Sequence, residues 1–317
     1  MCLSLKFNSK LENHSHHHDQ TEALLASLKA FQSEISVGLN LLASNSKPGF
    51  EILSFPWILK CLEIFPIMNK AFSKLLVETN YPLSTWKGNC IDEYLNYSLR
   101  LLDMFNSISS SLSRLSHARI LLSHAVSLIP NSPSLAAEKL KGIQLPSLGK
   151  VCGEKAAKKD EIEVSSINNE WVIHQALVMM KSIGFWIGGI VLSCLCGDVK
   201  PYMETREMAS EISDSLAINL DERVFNEVLQ NHGAWKEVIE INEEVDRVFA
   251  AMATADGSKA AEELKRRLQV FDKFLGEVKG KTNHLFSEVM AQRGELLDCL
   301  RRPNNGRNQK DFLCIEC

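Results

Sequence analysis

Apolar residues recur at steps of three and four along almost the whole chain, while strand-type alternation is scarce, so the pattern predicts an all-α protein. Leu24, Leu28, Phe31, Ile35, Leu39 and Leu42 fall on one face of a first helix, which the breaker residues Ser44 to Gly49 close. A second helix places Trp57, Cys61, Phe65, Met68, Phe72 and Leu75 on its buried face, with Ser54 as N-cap and Pro56 in the first turn. Pro66 lies inside that pattern and should kink it, because its ring removes a backbone donor. A third helix runs from about Cys90 to Ile129 on the stripe Ile91, Leu95, Leu99, Leu102, Phe105, Ile108, Leu112, Leu115, Leu122, Val126 and Ile129. At the usual rise per residue it spans on the order of 60 Å, with Ser107 to Ser113 able to bend it by bonding back one turn.

After Pro130-Asn131-Ser132-Pro133 the periodicity gives way to a lysine- and glycine-containing polar stretch ending near Ser166. The expected organisation is therefore a disordered, His-rich polar tail (1–20), an N-terminal helical part (21–130), a polar linker (131–166), a C-terminal helical part (167–302) and a flexible tail (303–317). The C-terminal part begins with an uncharged run, continues with a shorter helix from Pro201 to about Asn219, and ends with two long helices. Val238, Ile241, Val245, Val248 and Met252 mark the first of these. The last carries Leu264, Leu268, Phe271, Leu275, Val278, Thr282, Leu285, Val289, Gln292, Leu296 and Cys299 in unbroken alternation of four and three, which keeps one seam facing a partner helix. Either that partner lies in the same chain, or the 264–299 heptads form a homodimer. The architecture expected is an extended bundle of long antiparallel helices around a central, glycine-containing apolar helix.

The uncharged run, Ser182 to Gly197, is that central helix. It falls short of the roughly 20 apolar residues of a membrane span, but extension back to Trp171 reaches this length with Lys181 as its one lysine. Gly184 and Gly188 form a Gly-x-x-x-Gly pair, and Gly189, Ser193 and Gly197 continue a small-residue row that permits close helix approach. Three readings stay open: a buried bundle helix, weak peripheral contact with a membrane through residues 171–197, and a single-pass span such as one in the endoplasmic reticulum.

Composition narrows the function classes. The net charge of -4 and the pI near 6.2 lack the basic footprint of a nucleic-acid binder. Nine cysteines, an odd number set mostly in helical patterns, read as reduced thiols of a cytoplasmic protein. The first residues hold too short an apolar stretch for a secretory signal, and a transit peptide is not expected because acidic residues come early and arginine is absent before Arg100. The tract His14, His16, His17 and His18 and the terminal Cys314-Ile315-Glu316-Cys317 lack the partners that would complete a metal or redox site. No phosphate-binding loop, His-Glu-x-x-His or nucleophile elbow occurs. No catalytic, cofactor-binding or metal-ligating residue is nominated, no cofactor is expected, and protein partners are.

Tyr81-Pro82-Leu83-Ser84-Thr85-Trp86, Ile91-Asp92-Glu93-Tyr94-Leu95, Leu101-Leu102-Asp103 and Ser110-Ser111-Leu112-Ser113-Arg114-Leu115 occur in order within one segment. Weaker echoes lie at Leu53 to Leu76 and at Gly233-Ala234-Trp235-Lys236-Glu237-Val238. In these residues, with Trp86, Tyr94, Ser113, Arg114 and Leu115 as the family-motif positions, the chain resembles the plant BYPASS family. The resemblance implies a regulator of root and shoot development that restrains a mobile root-derived signal, without enzymatic activity, acting as a helical interaction or scaffold protein. A second hypothesis, a helical enzyme or binding protein for a small apolar metabolite, requires a pocket between helices with convergent polar groups.

Overall fold

This computed structural model describes residues 5–43, 51–82, 85–86, 88–141, 143, 145, 167–209, 215–252 and 257–301, with side chains described from Gln20 onward apart from 207–216. Among the described residues there are helices and no strands: α1 (Leu5–Ala43), α2 (Phe55–Glu78), α3 (Gly88–Ser127), α4 (Pro133–Lys141), α5 (Asn169–Cys196), α6 (Lys200–Ala209), α7 (Ser215–Gln230), α8 (Lys236–Ala251) and α9 (Gly257–Arg301).

The long helices pack by their predicted apolar faces. All six stripe residues of α1 and all six of α2 are buried. The two helices run antiparallel, because Trp57 at the start of α2 donates its indole N–H to the Leu42 carbonyl at 3.1 Å. At the other end Lys74 meets Glu34. α3 and α9 are likewise antiparallel, joined by Tyr94 with Gln292 near one end and Arg119 with Asp272 near the other. The seam of α9 is used inside the chain: Leu264, Leu268, Phe271, Leu275, Val278, Thr282, Leu285, Val289 and Leu296 are buried, with α3 and α8 the helix's main neighbours. α5 lies in the middle, against α1, α2, α3 and α6. It runs parallel to α3, since Glu93 pairs with His174 and Ser111 with Cys196.

Several local expectations change. The region after Cys196 holds two helices, α6 and α7, instead of a single one from Pro201 to Asn219. Leu99, placed on the α3 stripe, is 47% exposed, while Tyr94, Tyr97 and Leu101 are buried, because α3 is wedged between α9 and α5 and buries parts of two faces. Pro66 sits at the exposed surface of α2, which continues unbroken past it. α3 is also unbroken, and Ser107 and Ser113 bond back to the carbonyls of Asp103 and Ser109. Part of the expected linker is α4, which docks through Ala136 and Leu140. Residues 146–166 and the 303–317 tail lie outside the described residues. The backbone of α1 begins at Leu5, within the polar stretch assigned to 1–20, and the side chains of His14, His16, His17 and His18 are among those not described. One continuous apolar core draws on side chains from α1 through α9.

Candidate functional site

α5 is the buried helix against which α1, α2, α3 and α6 pack. Its start is fixed by Asn168, whose side-chain oxygen accepts the Trp171 N–H, and its end by Gly197 in the left-handed region (φ 60°), whose N–H returns to the Ser193 carbonyl. Every residue from Ser182 to Cys196 is buried. The small residues of this helix serve two different neighbours. Gly184 and Gly188 face α3: a Cβ built on Gly188 would lie 1.7 Å from the Met104 Sδ, and one on Gly184 would lie 3.3 Å from the Tyr97 hydroxyl. Gly189, about 100° further round the helix, faces α6, where a Cβ would lie 1.9 Å from Thr205 Oγ1 and 2.8 Å from the Pro201 carbonyl oxygen. Ser193, one turn on, accepts the Tyr202 backbone N–H at 2.9 Å.

Two further carboxylates, besides the Glu93 that meets His174, tie helices together. Asp221 of α7 accepts the Trp186 indole N–H at 2.8 Å and the Tyr202 hydroxyl at 2.5 Å through Oδ1, and pairs with Arg206 at 2.7 Å through Oδ2. The Arg206 guanidinium also stacks over Phe225, 3.8 Å from the ring centroid. Burial, followed by the bond to Asp221, pushes the Tyr202 hydroxyl up, so it remains a proton donor.

Glu237, in the first turn of α8, forms the second node. Its Oε1 accepts the Phe55 N–H at 2.7 Å and so caps α2, whose own N-cap, Ser54, makes no side-chain capping bond. The Lys236 N–H bonds the Leu53 carbonyl, and its ammonium reaches Glu51 at 2.5 Å. Trp235 lies edge-on to both Phe55 and Phe271. Leu53 takes a left-handed conformation (φ 62°) in this joint, and Gly233 (φ 79°) approaches the Asp198 backbone too closely for a side chain. Burial raises the Glu237 carboxyl above its ordinary range, opposed by the Phe55 N–H. The Gly233 to Val238 echo is thus the segment that closes α8 onto the entrance of α2.

The family-motif residues are dispersed along α3 and its entry. Trp86 is buried edge-on to Phe72 and Tyr94, with its N–H on the Tyr81 carbonyl at 3.3 Å. Leu115 is in the core. Ser113 is exposed, and Arg114 reaches Ser111 Oγ at 2.9 Å and the Cys196 Sγ at 3.7 Å. These residues stabilise the contacts of α3 with α2, α5 and α9 and do not meet at one point. Cys61, Cys90, Cys194 and Cys196 are thiols outside any disulfide, and burial pushes those of Cys61 and Cys194 well up and that of Cys90 to about 11.

Among the described residues no group of His, Cys, Asp and Glu could hold a metal ion. A polar cleft of about 340 Å³, lined by Gln20, Tyr81, Asn168 and Glu170 among others, opens at the surface where α1, the α2–α3 connection and the start of α5 meet. Another follows the exposed charged side of α9 around Lys259 and Arg266. Neither enters the core that surrounds Gly184 and Gly188. The roles of Asp221 and Arg206 were not visible in the chain, because their pairing depends on α7 folding back beside α6. An amphipathic Leu220, Val224 and Val228 spacing was the available signal.

The family described as Protein ROH1-like matches residues 2–146, the region from α1 to α4. Protein BPS1, chloroplastic, of Arabidopsis thaliana is 31% identical over 111 residues, covering 35% of this chain and 31% of that protein. Over its N-terminal part the chain is thus similar to ROH1-like and BPS1 proteins. UPF0496 protein 4 of Oryza sativa subsp. indica is 23% identical over 188 residues, covering 54% of this chain and 41% of its own length, and the subsp. japonica protein matches to the same extent. The chain thus spans less than half the length of these curated relatives. No solved structure matches.

Proposed function

We propose that this chain is a plant developmental regulator acting in root and shoot growth, restraining a root-derived mobile signal as a non-catalytic helical scaffold for protein partners. Similarity to Protein BPS1 and to the ROH1-like family supports the developmental role. The observation that carries the scaffold reading is the use made of the buried polar groups. Asp221 is satisfied by Trp186, Tyr202 and Arg206, Glu237 holds the start of α2 through one oxygen, and the buried Glu244 of α8 pairs with Arg267 of α9, so these carboxylates act as joints between helices. Partner contact then falls to the outer helix faces, where Val37 and Leu41 stand exposed one turn apart on α1.

The proposed location is the cytoplasm. α5 has the length and apolar composition to cross a membrane, but Ser182 to Cys196 are all buried by the rest of the bundle. Proximity labelling from the full chain in plant root cells, with membranes and cytosol separated afterwards, tests the proposal. Recurrent protein neighbours in the cytosolic fraction, reduced by Val37→Asp/Leu41→Asp, are expected. A small apolar metabolite co-purifying at one equivalent, with no such neighbours, would replace the scaffold reading by the binding-protein one.

A further inference from the structure

Asn242, near the middle of α8, spends its whole side chain on the backbone of one distant residue. Its oxygen accepts the Leu145 N–H at 3.3 Å, and its nitrogen donates to the Leu145 carbonyl at 2.5 Å. One amide thus satisfies both backbone groups of a residue 97 positions away, as the facing residue does in a hydrogen-bonded pair of antiparallel strands. Only extended backbone presents N–H and C=O of the same residue along one edge, and Pro146 biases Leu145 toward that conformation. Asparagine is a poor helix former because its side chain competes for nearby backbone groups. Here that capacity is turned outward onto a second segment.

Side chains give the segment a direction. Leu145 is buried in the core, and Ile143 packs half-buried against it. Lys141 holds its ammonium 5.3 Å from the ring centroid of Phe249, seven residues beyond Asn242 on α8. The segment therefore runs antiparallel to α8, with a basic residue four positions before the leucine. We propose that this face of α8 is a peptide-binding site which the chain fills with its own Lys141, Ile143 and Leu145, and that the partner it fits is an extended segment carrying a basic residue four positions before a Leu-Pro step. Backbone bonds supply the grip, and the leucine and the base supply the selectivity. A bound partner displaces these three residues while α4 keeps its own anchors, Ala136 and Leu140. The proposal rests on the scaffold reading for its purpose, since it gives the scaffold a defined class of protein partner.

The probe is a fluorescein-labelled peptide of residues 139–148, read by fluorescence anisotropy against the purified full chain. Tethered in the same chain, the resident segment acts at an effective concentration on the order of millimolar, so the wild type binds the probe poorly. Leu145→Asp places a charge where the leucine is buried and frees the site. It should bind the probe about tenfold more tightly than the wild type or better, with Leu145→Ala in between. Adding Asn242→Ala to Leu145→Asp, or N-methylating the probe at its leucine, should abolish the gain, because each breaks the paired backbone bonds. Far-ultraviolet circular dichroism checks that helix content is kept, and Leu145→Ala decides in its place if Leu145→Asp loses it. Three results each overturn the proposal: no gain in a folded Leu145 variant; a gain that survives Asn242→Ala or N-methylation; or a wild-type dimer, seen by sedimentation, that Asn242→Ala dissolves, which assigns the segment to exchange between two copies of the chain. Val37→Asp/Leu41→Asp leaves this site intact, so a failure of the labelling experiment and a failure of probe binding are distinct outcomes.

Discussion

Replacing Gly189 by alanine adds one methyl group at the tightest point of the α5–α6 contact. Helix propensity alone favours the change by about 0.5 to 1 kcal/mol. The new Cβ would stand 1.9 Å from Thr205 Oγ1 and 2.8 Å from the Pro201 carbonyl oxygen. Thr205 is β-branched, and its hydroxyl is already bonded to the carbonyls of Pro201 and Tyr202, so it has little room to turn away. The Pro201 carbonyl is backbone and retreats only if α6 moves as a whole. Overpacking of this kind costs about 1 to 3 kcal/mol, so the net effect is destabilisation despite the better helix former. Gly188→Ala meets the Met104 Sδ at 1.7 Å, a more severe overlap on paper, yet that sulfur is the far end of an adaptable side chain, and the cost should stay under about 1 kcal/mol. Gly276 and Gly280 on α9 face open space, and alanine there should stabilise by about 0.5 to 1 kcal/mol. Urea unfolding followed by far-ultraviolet circular dichroism ranks the four variants at constant slope. A Gly189→Ala protein as stable as Gly276→Ala would show that α6 does not approach α5 this closely.

Glu237→Ala removes the cap on Phe55 and should cost about 1 kcal/mol in the same assay. Because the Glu237 carboxyl is raised in the folded state, its contribution is full below the unfolded value and is lost as pH rises through the folded one. Glu237→Gln should therefore gain on the wild type as pH goes from about 4 to about 7, and a constant difference would refute the assigned shift. Gly233→Ala forces a side chain onto the Asp198 backbone at positive φ and should lower the urea midpoint more than Gly188→Ala does. Trp86→Ala empties the aromatic cluster with Phe72 and Tyr94 and should cost about 3 to 5 kcal/mol by thermal or urea unfolding.

The helices and their inward faces were legible because each long apolar segment obeys a single spacing that only one secondary structure satisfies. The α1 and α2 stripes are buried residue for residue, and that of α9 is buried except at Gln292 and Cys299, which are half-buried. Leu99 shows the limit of that logic, since a helix wedged between two neighbours buries a wider arc than one stripe describes. The small-residue row of α5 signalled close packing, but its division between α3 and α6 depends on where α6 returns. Charged residues were hardest to place. Asp221 lies among Asn219, Glu222 and Arg223, and Glu237 follows a lysine, so both read as solvated helix positions until a distant backbone or indole N–H is brought to them.

The bond from Glu237 to the Phe55 N–H joins positions 182 residues apart, and this has a consequence for how the chain is made. On the ribosome, α1 to α4 emerge before any of the surfaces that complete them. α2 waits for α8 to close its entrance, and α3 waits for α5 and α9 to cover its two buried faces. At about 5 to 20 residues per second, the stretch from Lys141 to Arg301 takes on the order of ten to thirty seconds to follow. During that interval the part that matches the ROH1-like family is an apolar surface without the helices that cover it. An expressed 2–146 fragment should therefore aggregate or bind chaperones, and the limits of sequence kinship in this chain are not the limits of a folding unit.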